Sequence, residues 1–322
     1  MAPHIRCIHI RHRPAYGTPV LSAGDILVKV MGRGVSPHQV VLDCHFTQAW
    51  LPTNYDEALS SITHMVLTFY GVVPLHSVFA YLVLFPGLRS LRLRTQDWRT
   101  ESGDMQWFPE RAQTATPESL LPRNLHQLEV DQSIHLRRFA ESAAFQRRFT
   151  SLILHDMPST SIGDLNFYLT RPSVASCLTS LTLDKPHAFI PYELPIDKLQ
   201  ALKHLNIHHT SDSASLILLE LLSGFHEGSN LEYISIVLYD GDVLLTDQEH
   251  IAHKRVSFVD ELLTQITSTS FPRLKKITFS GAPVPQNPPN HPPQLYALPA
   301  QTQTEIQTRM PWCTKQKLLV FY

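Results

Sequence analysis

Glycine, cysteine and charged residues are all scarce in this 322-residue chain. Only 12 residues are glycine, so a glycine-rich phosphate-binding loop is not expected. The four cysteines lie far apart with no C-x-x-C pair, which indicates neither a zinc knuckle nor a disulfide framework. Lysine and arginine number 27 against 28 for aspartate and glutamate. This balance, with charged residues at only 17%, argues against nucleic acid as a partner.

Long hydrophobic runs are also missing. The longest, residues 78–85, is too short to cross a bilayer, and the first residues lack the apolar core of a signal peptide. The sequence has no N-x-[ST] sequon. Because hydrophobic residues still make up 43% of the chain, we expect a folded, soluble protein of the cytoplasm or nucleus, with no membrane partner.

The common sequence motifs of catalytic and metal-binding sites are missing. No G-x-S-x-G occurs, and His226-Glu227 is not followed by the second histidine of H-E-x-x-H. Three nearby histidines have no helical or cysteine frame that would hold a metal ion. The sequence therefore predicts no enzyme, no cofactor and no metal site. The three histidines are His204, His208 and His209.

A spaced pattern of apolar residues is the main positive signal: apolar, two residues, apolar, one residue, apolar. The matches from Leu88 to Leu274 start at intervals of 37, 24, 29, 24, 29 and 43 residues. Four consecutive intervals fall within the range of leucine-rich repeats. Polar residues separate most of the apolar ones, as a half-buried strand requires. The matches begin at Leu88, Leu125, Phe149, Leu178, Leu202, Leu231 and Leu274, with two more upstream at Ile5 and Ile62.

Stretches with helical periodicity alternate with these strands, at residues 74–85, 136–148, 213–223 and 256–266. Strand, turn and helix at this period predict the α/β class, in the form of an irregular leucine-rich-repeat solenoid. We expect a ribonuclease-inhibitor-like horseshoe with a parallel inner sheet and outer helices. A doubly wound α/β domain is the main rival, but it usually needs a glycine-rich first turn.

The same pattern sets the expected domain organisation. Residues 99–118 are expected to form a polar surface loop. The proline-rich stretch at 282–305 contains two P-x-x-P spacings. Two interpretations remain for it, an inserted linker and an SH3-type ligand. The expected segments are 1–60, an N-terminal strand and helix segment with the first repeats; 61–281, the repeat solenoid; 282–305, a proline-rich loop, disordered or extended; and 306–322, a terminal repeat strand and cap.

Several segments resemble a known family. They are FPGLRSLRLRTQDW (85–98), LPRNLHQLEV (121–130), SCLTSLTLDKP (176–186), and MPWC (310–313) with the apolar strand after it. They are similar to the irregular leucine-rich-repeat proteins of fungi called F-box or F-box-like proteins. The likeness covers most of the chain from about residue 60.

The resemblance implies a non-catalytic protein-binding region that recognises the substrates of an F-box-type (SCF) ubiquitin ligase. Such proteins usually begin with an F-box, whose L-P-x-E-[LI] start is not evident here. A Skp-type adaptor is therefore expected as a partner only if an F-box exists upstream. The alternative is a free-standing leucine-rich-repeat scaffold or regulatory binding protein with no ubiquitin link.

The residues between the leucines are the candidate site. Alternate residues of each strand should face the concave side of the solenoid and form one open surface. Its mixed chemistry suits a protein partner better than a polyanion, and Tyr233 is the expected anchor because an exposed aromatic ring offers a large contact area. The expected protein-binding residues are Ser90, Arg92, Arg94, Gln127, Glu129, Asp131, His155, Thr182, Asp184, His204, Asn206, His208, Tyr233, Ser235, Lys276 and Thr278.

Overall fold

Parallel strands alternate with helices and turns along the chain. The chain divides into two compact units, one of residues 1–134 with 141–149 and the other of residues 135–140 with 150–322. The structure is a computed structural model. It describes residues 6–12, 23–44, 57–69, 82, 85–95, 122–131, 149–156, 162–185, 194–209, 211–225, 229–239, 260–261, 263–264, 271–283 and 294–322.

The described strands of the first unit pair in chain order, each parallel to the next. Helix α1 (Ala23–Met31) lies between the first two strands, and a 3-10 turn (Glu57–Ser61) precedes the third. The strands are β1 (Cys7–His12), β2 (Gln39–Cys44), β3 (His64–Phe69), β4 (Ser90–Thr95) and β5 (Gln127–Asp131).

The second unit has the same parallel arrangement in chain order. Its described strands are β6 (Ser151–His155), β7 (Ser180–Asp184), β8 (His204–His209), β9 (Tyr233–Leu238), β10 (Lys276–Gly281) and β11 (Leu319–Phe321). Its described helices are α2 (Ile162–Leu169), α3 (Pro172–Ala175), α4 (Ser211–Ser223), α5 (Ala300–Arg309) and α6 (Pro311–Lys315).

The core is built from the apolar residues of the repeated pattern. Leu181 pairs with Leu205, which pairs with Ile234, so equivalent residues stack from strand to strand. Leu181 and Leu205 are fully buried. Burying each such side chain stabilises the fold by about 1.5–3 kcal/mol. The sequence prediction of parallel, chain-ordered α/β units is confirmed.

Most of the described strands begin with the same hydrogen-bond arrangement. One carbonyl accepts both the N–H of the residue before the next strand and the N–H of that strand's first residue. The carbonyl of Thr179, for example, accepts from Lys203 and His204, each at 2.9 Å. Sharing one acceptor ties each strand start to the strand before it. The eight described carbonyls that do this are those of Arg6, His38, Thr63, Arg89, Thr150, Thr179, Lys203 and Glu232.

A tight turn comes before several of these strands. The N–H of Leu88 donates to the carbonyl of Phe85 at 3.0 Å, and that of Leu274 donates to Phe271 at 3.2 Å. Gly87 occupies one of these turns, and a Cβ there would lie 2.0 Å from the carbonyl oxygen of Ser60. Only glycine therefore lets this turn approach the preceding one so closely.

A remote carboxylate anchors the last helix. Asp260 is buried and accepts the backbone N–H groups of Trp312 at 2.9 Å and Cys313 at 3.0 Å. The first N–H groups of a helix have no partner within it, so Asp260 acts as an N-cap supplied from elsewhere in the chain. Burial, together with Asp260, raises the pKa of the Cys313 thiol, which stays protonated at neutral pH.

The predicted helices and loops have mixed outcomes. The helix expected at 213–223 is α4, and the four described residues within 256–266 are helical. The segments 136–148 and 99–118, and most of 74–85, lie outside the described residues. The loop expected at 282–305 is wrong for its last six residues. Helix α5 begins at Ala300 because the stretch after Pro299 has no further proline or glycine and buries Thr302 and Ile306.

Over the described residues, none of the helices has the length and apolar character needed to span a membrane.

Gly87→Ala is expected to lower the free energy of unfolding by about 1–3 kcal/mol, because the new Cβ would meet backbone atoms that cannot rotate away. Gly163→Ala in α2 is the matched control, since nothing lies within 4 Å of its Cβ position. The control should leave stability unchanged or raise it by up to ~1 kcal/mol. Equal losses in urea unfolding would contradict the close approach of the two turns.

Candidate functional site

Each strand has a second face, opposite the buried leucines, which we call the outward face. The sixteen residues expected to bind a partner all belong to strands of the two units at alternating positions. Their exposure differs greatly from strand to strand. The outward face of each unit is therefore described separately.

The outward face of the first unit carries a compact network of charges. Arg92 donates three hydrogen bonds to the Asp131 carboxylate, from Nε at 3.1 Å and Nη2 at 2.9 Å to Oδ1 and from Nη2 at 3.2 Å to Oδ2. Arg94 Nε lies 3.0 Å from Asp131 Oδ2, and Arg92 Nη1 lies 3.8 Å from Glu129 Oε2. Gln127 donates to Glu129 Oε1 at 2.7 Å. Two guanidinium groups thus face two carboxylates.

This network is less open than the sequence predicted. Ser90, Arg92 and Arg94 are buried, at 5%, 7% and 7% exposure. The expectation of an open surface is wrong for these three residues. A guanidinium group can be buried where carboxylates on the next strand balance its charge, and removing one partner would leave an uncompensated buried charge. We assign this network to holding β4 and β5 together.

In the second unit, the C-terminal ends of the strands also hold a buried polar cluster. The Nδ1 of His155 donates to Asp184 Oδ2 at 2.6 Å, and the Tyr239 hydroxyl donates to Asp184 Oδ1. Nδ1 of His208 lies 4.0 Å from Asp184 Oδ1. His155 and Asp184 are buried, contrary to the open surface expected for them. The cluster joins β6, β7, β8 and the residue after β9.

Burial and hydrogen bonding shift the ionisation of this cluster. Burial raises the pKa of Asp184, but the hydrogen bonds from His155 and Tyr239 and the nearby His155 and His208 outweigh it, so the net pKa is lowered. Burial lowers the pKa of His208 more than the Asp184 charge raises it. Burial and Asp184 raise the pKa of Tyr239. At neutral pH the cluster therefore holds a charged carboxylate and a neutral His208.

The chain leaves β6 and β7 through left-handed backbone at Asp156 (φ 47°) and Lys185 (φ 49°). The N–H of Asp156 donates to the Asp184 carbonyl at 2.9 Å, and that of Lys185 donates to the His208 carbonyl at 2.8 Å. This turn places the Lys185 ammonium 5.4 Å from the centre of the Tyr239 ring. A cation thus borders the buried cluster.

The beginnings of the strands in the second unit form the open part of this face. The rings of His204 and Tyr233 are stacked, with their centres 4.8 Å apart and an angle of 8° between their planes. His204 is exposed, and Tyr233 and Lys276 are half-buried. Lys276 Nζ donates to the Tyr322 hydroxyl at 2.7 Å and lies 4.7 Å from the centre of its ring.

The middle of the second unit's outward face is intermediate in exposure. Asn206 donates to the Thr182 hydroxyl at 3.0 Å, and Thr182 is buried at 6% exposure although an open surface was expected. Asn206, Ser235 and Thr278 are half-buried and occupy matching positions on β8, β9 and β10. Exposure on the face therefore rises from the C-terminal to the N-terminal ends of the strands.

Four residues that were not predicted from the sequence belong to these groups. Tyr239 completes the buried cluster, and Glu232, Lys275 and Tyr322 lie beside the open part. Tyr239, Lys275 and Tyr322 lie just beyond the ends of strands, where alternation along a strand assigns no face. Charge at Glu232 and Lys275, on adjacent strand starts, was the available signal.

Among the described residues no group of three or more histidine, cysteine, aspartate or glutamate side chains could hold a metal ion. In the comparisons with known proteins, no family model matches the chain, and no curated protein or solved structure matches it significantly.

His208→Gln is expected to weaken the pH dependence of stability. The folded-state pKa of His208 lies below the ordinary 6.5, so its stabilising contribution is complete above that pH and is lost as the pH falls below it. Between about pH 7 and about pH 5 the wild type should lose more unfolding free energy than the variant. Asn206→Ser, on the same strand, is the control and should keep the wild-type slope in urea unfolding. A His208→Gln variant whose unfolding free energy falls as steeply with pH as that of the wild type would contradict a buried, neutral His208.

Proposed function

We propose that this chain is a non-catalytic protein-binding module that contacts its partner through the open part of the second unit's outward face. The observation that carries the proposal is the stacked pair of His204 and Tyr233 at the open strand starts. Aromatic rings with a polar tip are enriched where protein interfaces concentrate their binding energy. Stacking also holds the two rings in place, which lowers the entropy lost on binding.

The chemistry around this pair favours a protein partner. Serine, threonine and asparagine side chains lie beside the rings at the middle of the strands, on β8, β9 and β10. They supply hydrogen bonds of both kinds without a high charge. The chain as a whole is nearly neutral, with a net charge of −1. A mixed, weakly charged surface of this kind suits a specific protein contact rather than a polyanion.

We assign the repeated units to an irregular leucine-rich-repeat solenoid. The support is the shared carbonyl at strand after strand and the tight turn before several of them. By its resemblance to F-box and F-box-like proteins, the chain would be the substrate-recognition region of an F-box-type (SCF) ubiquitin ligase receptor. The alternative remains a free-standing scaffold or regulatory binding protein with no ubiquitin link.

Changing His204 and Tyr233 together to alanine is expected to remove partner proteins that the wild type retains. The test is affinity purification of the tagged chain from its source cells, followed by mass spectrometry. Lys198→Ala with Gln200→Ala is the matched control, because both residues are exposed and lie outside the outward face. Circular dichroism should be the same for all three proteins. Retention of the same partners by the double variant would rule out this surface.

The ligase assignment has a separate test. We expect the 322-residue chain to show no heat of binding to a purified Skp-type adaptor in calorimetry, because the L-P-x-E-[LI] start of an F-box is not evident in its sequence. Adaptor binding by this chain would reveal a docking module of another kind. An in-frame F-box in the upstream coding sequence would favour the ligase receptor over the free-standing scaffold.

A further inference from the structure

Four cations lie at or just before the starts of β8 and β10. Lys203 comes directly before β8, Lys275 comes directly before β10 and Lys276 begins that strand, while Arg273 lies in the turn before it. Glu232, directly before β9, is the one carboxylate among these strand-start residues. We call Lys203, Arg273, Lys275 and Lys276, together with Glu232, the strand-start cluster.

The cluster has more positive than negative charge. Lys275 Nζ lies 2.6 Å from Glu232 Oε2, and this hydrogen bond lowers the pKa of Glu232 and raises that of Lys275. Over the described part of the chain, no carboxylate lies within ion-pair distance of Lys203, Arg273 or Lys276. Because the whole chain is almost neutral, this local excess does not follow from composition.

The first unit shows that the sheet can balance its cations. There Arg92 and Arg94 both contact Asp131, and both are buried. In the strand-start cluster Lys203 and Arg273 are exposed, and Lys276 is half-buried with the Tyr322 hydroxyl as its hydrogen-bond acceptor. A group in which four cations face one carboxylate, beside stacked aromatic rings, can receive an acidic partner.

The arrangement of the rings favours carboxylates over nucleic-acid bases. His204, from β8, covers one face of the Tyr233 ring at a plane angle of 8°. Lys275 Nζ approaches the same ring from the other neighbouring strand, at 5.7 Å from its centre. A base needs an open ring face on which to stack. The Tyr233 ring instead has His204 on one side and the Lys275 ammonium on the other.

We propose that the strand-start cluster binds an extended acidic segment of a partner protein, with two carboxylates three residues apart and uncharged residues between them. This inference rests on the proposed protein-binding function and names the chemistry of the partner. Lys203 and Lys276 belong to strands separated by one strand, which places their backbones roughly 10 Å apart. In the polyproline II conformation of an unpaired extended peptide, three residues span roughly 9 Å and complete one turn, so carboxylates three residues apart lie on the same side. Glu232, on the strand between them, repels an acidic residue at the middle of the segment.

Three short peptides test this spacing. The first carries two glutamates three residues apart in a neutral background, the second replaces both by glutamine, and the third places the two glutamates side by side. Binding is followed by amide NMR shifts of His204, Tyr233 and Lys276 at low salt, where surface charges are least screened. We expect the first peptide to bind most tightly and the glutamine peptide to show no saturable shifts.

Variants of the whole chain separate the cluster from general charge. Lys203→Gln with Lys276→Gln should weaken the first peptide about 2- to 5-fold for each charge removed. Lys198→Gln with Lys315→Gln removes two exposed lysines elsewhere and should leave the dissociation constant unchanged. Glu232→Gln should reduce the difference in dissociation constant between the first peptide and the third.

Each contrary outcome overturns the proposal. The proposal fails if the glutamine peptide or the peptide with adjacent glutamates binds as tightly as the first peptide. It also fails if no peptide binds at concentrations up to about 1 mM, or if a single-stranded oligouridine binds more tightly than the first peptide. The partner proteins recovered by affinity purification decide which proposal has failed. Partners lost from the His204 and Tyr233 variant but kept by the Lys203 and Lys276 variant would leave the protein-binding function standing and remove the acidic segment.

Discussion

The sharing of one backbone carbonyl between two N–H groups is the constraint on which the rest of the structure depends. It recurs at eight described strand starts and ties each strand to its predecessor at one position. Side chains alternate between the faces of a strand, so a shift of one residue would exchange the buried and outward sets. With the register fixed, Leu181 and Leu205 fall into the core, and His204 and Tyr233 stack on the other face.

The outward face then has two different roles. Where it is buried, its polar groups satisfy one another: Arg92 and Arg94 with Asp131 in the first unit, and His155 and Tyr239 with Asp184 in the second. Buried charges are tolerated only when they are paired and hydrogen-bonded, so these groups contribute to the fold. Where the face is open, at the strand starts of the second unit, its cations outnumber its carboxylates. This difference separates structural polar residues from candidate contact residues.

The sequence was sufficient for most of the described strands and their direction, but it missed β2, where Pro37 stands at the leading apolar position of the pattern. It was not sufficient for the burial of the outward residues. The spacing of Leu88, Leu91 and Leu93 predicted a half-buried strand, because local alternation carries that information. The burial of Arg92 depends on Asp131, which lies 39 residues further along the chain. The capping of Cys313 by Asp260 spans 53 residues. No local pattern records such pairings, so the sequence placed sixteen residues on one open surface that the structure divides into buried and open parts.

Native-state hydrogen exchange at the strand starts tests the shared-carbonyl register most directly. Lys203 and His204 have exposed side chains, yet both of their N–H groups donate to the carbonyl of Thr179. We predict that these two amides are strongly protected, as the buried Leu205 amide within the same strand should be, and that they open only with the sheet. Exchange of Lys203 and His204 at the rate of an unprotected surface amide, with Leu205 still protected, would contradict the fixed strand start and the assignment of faces that follows from it.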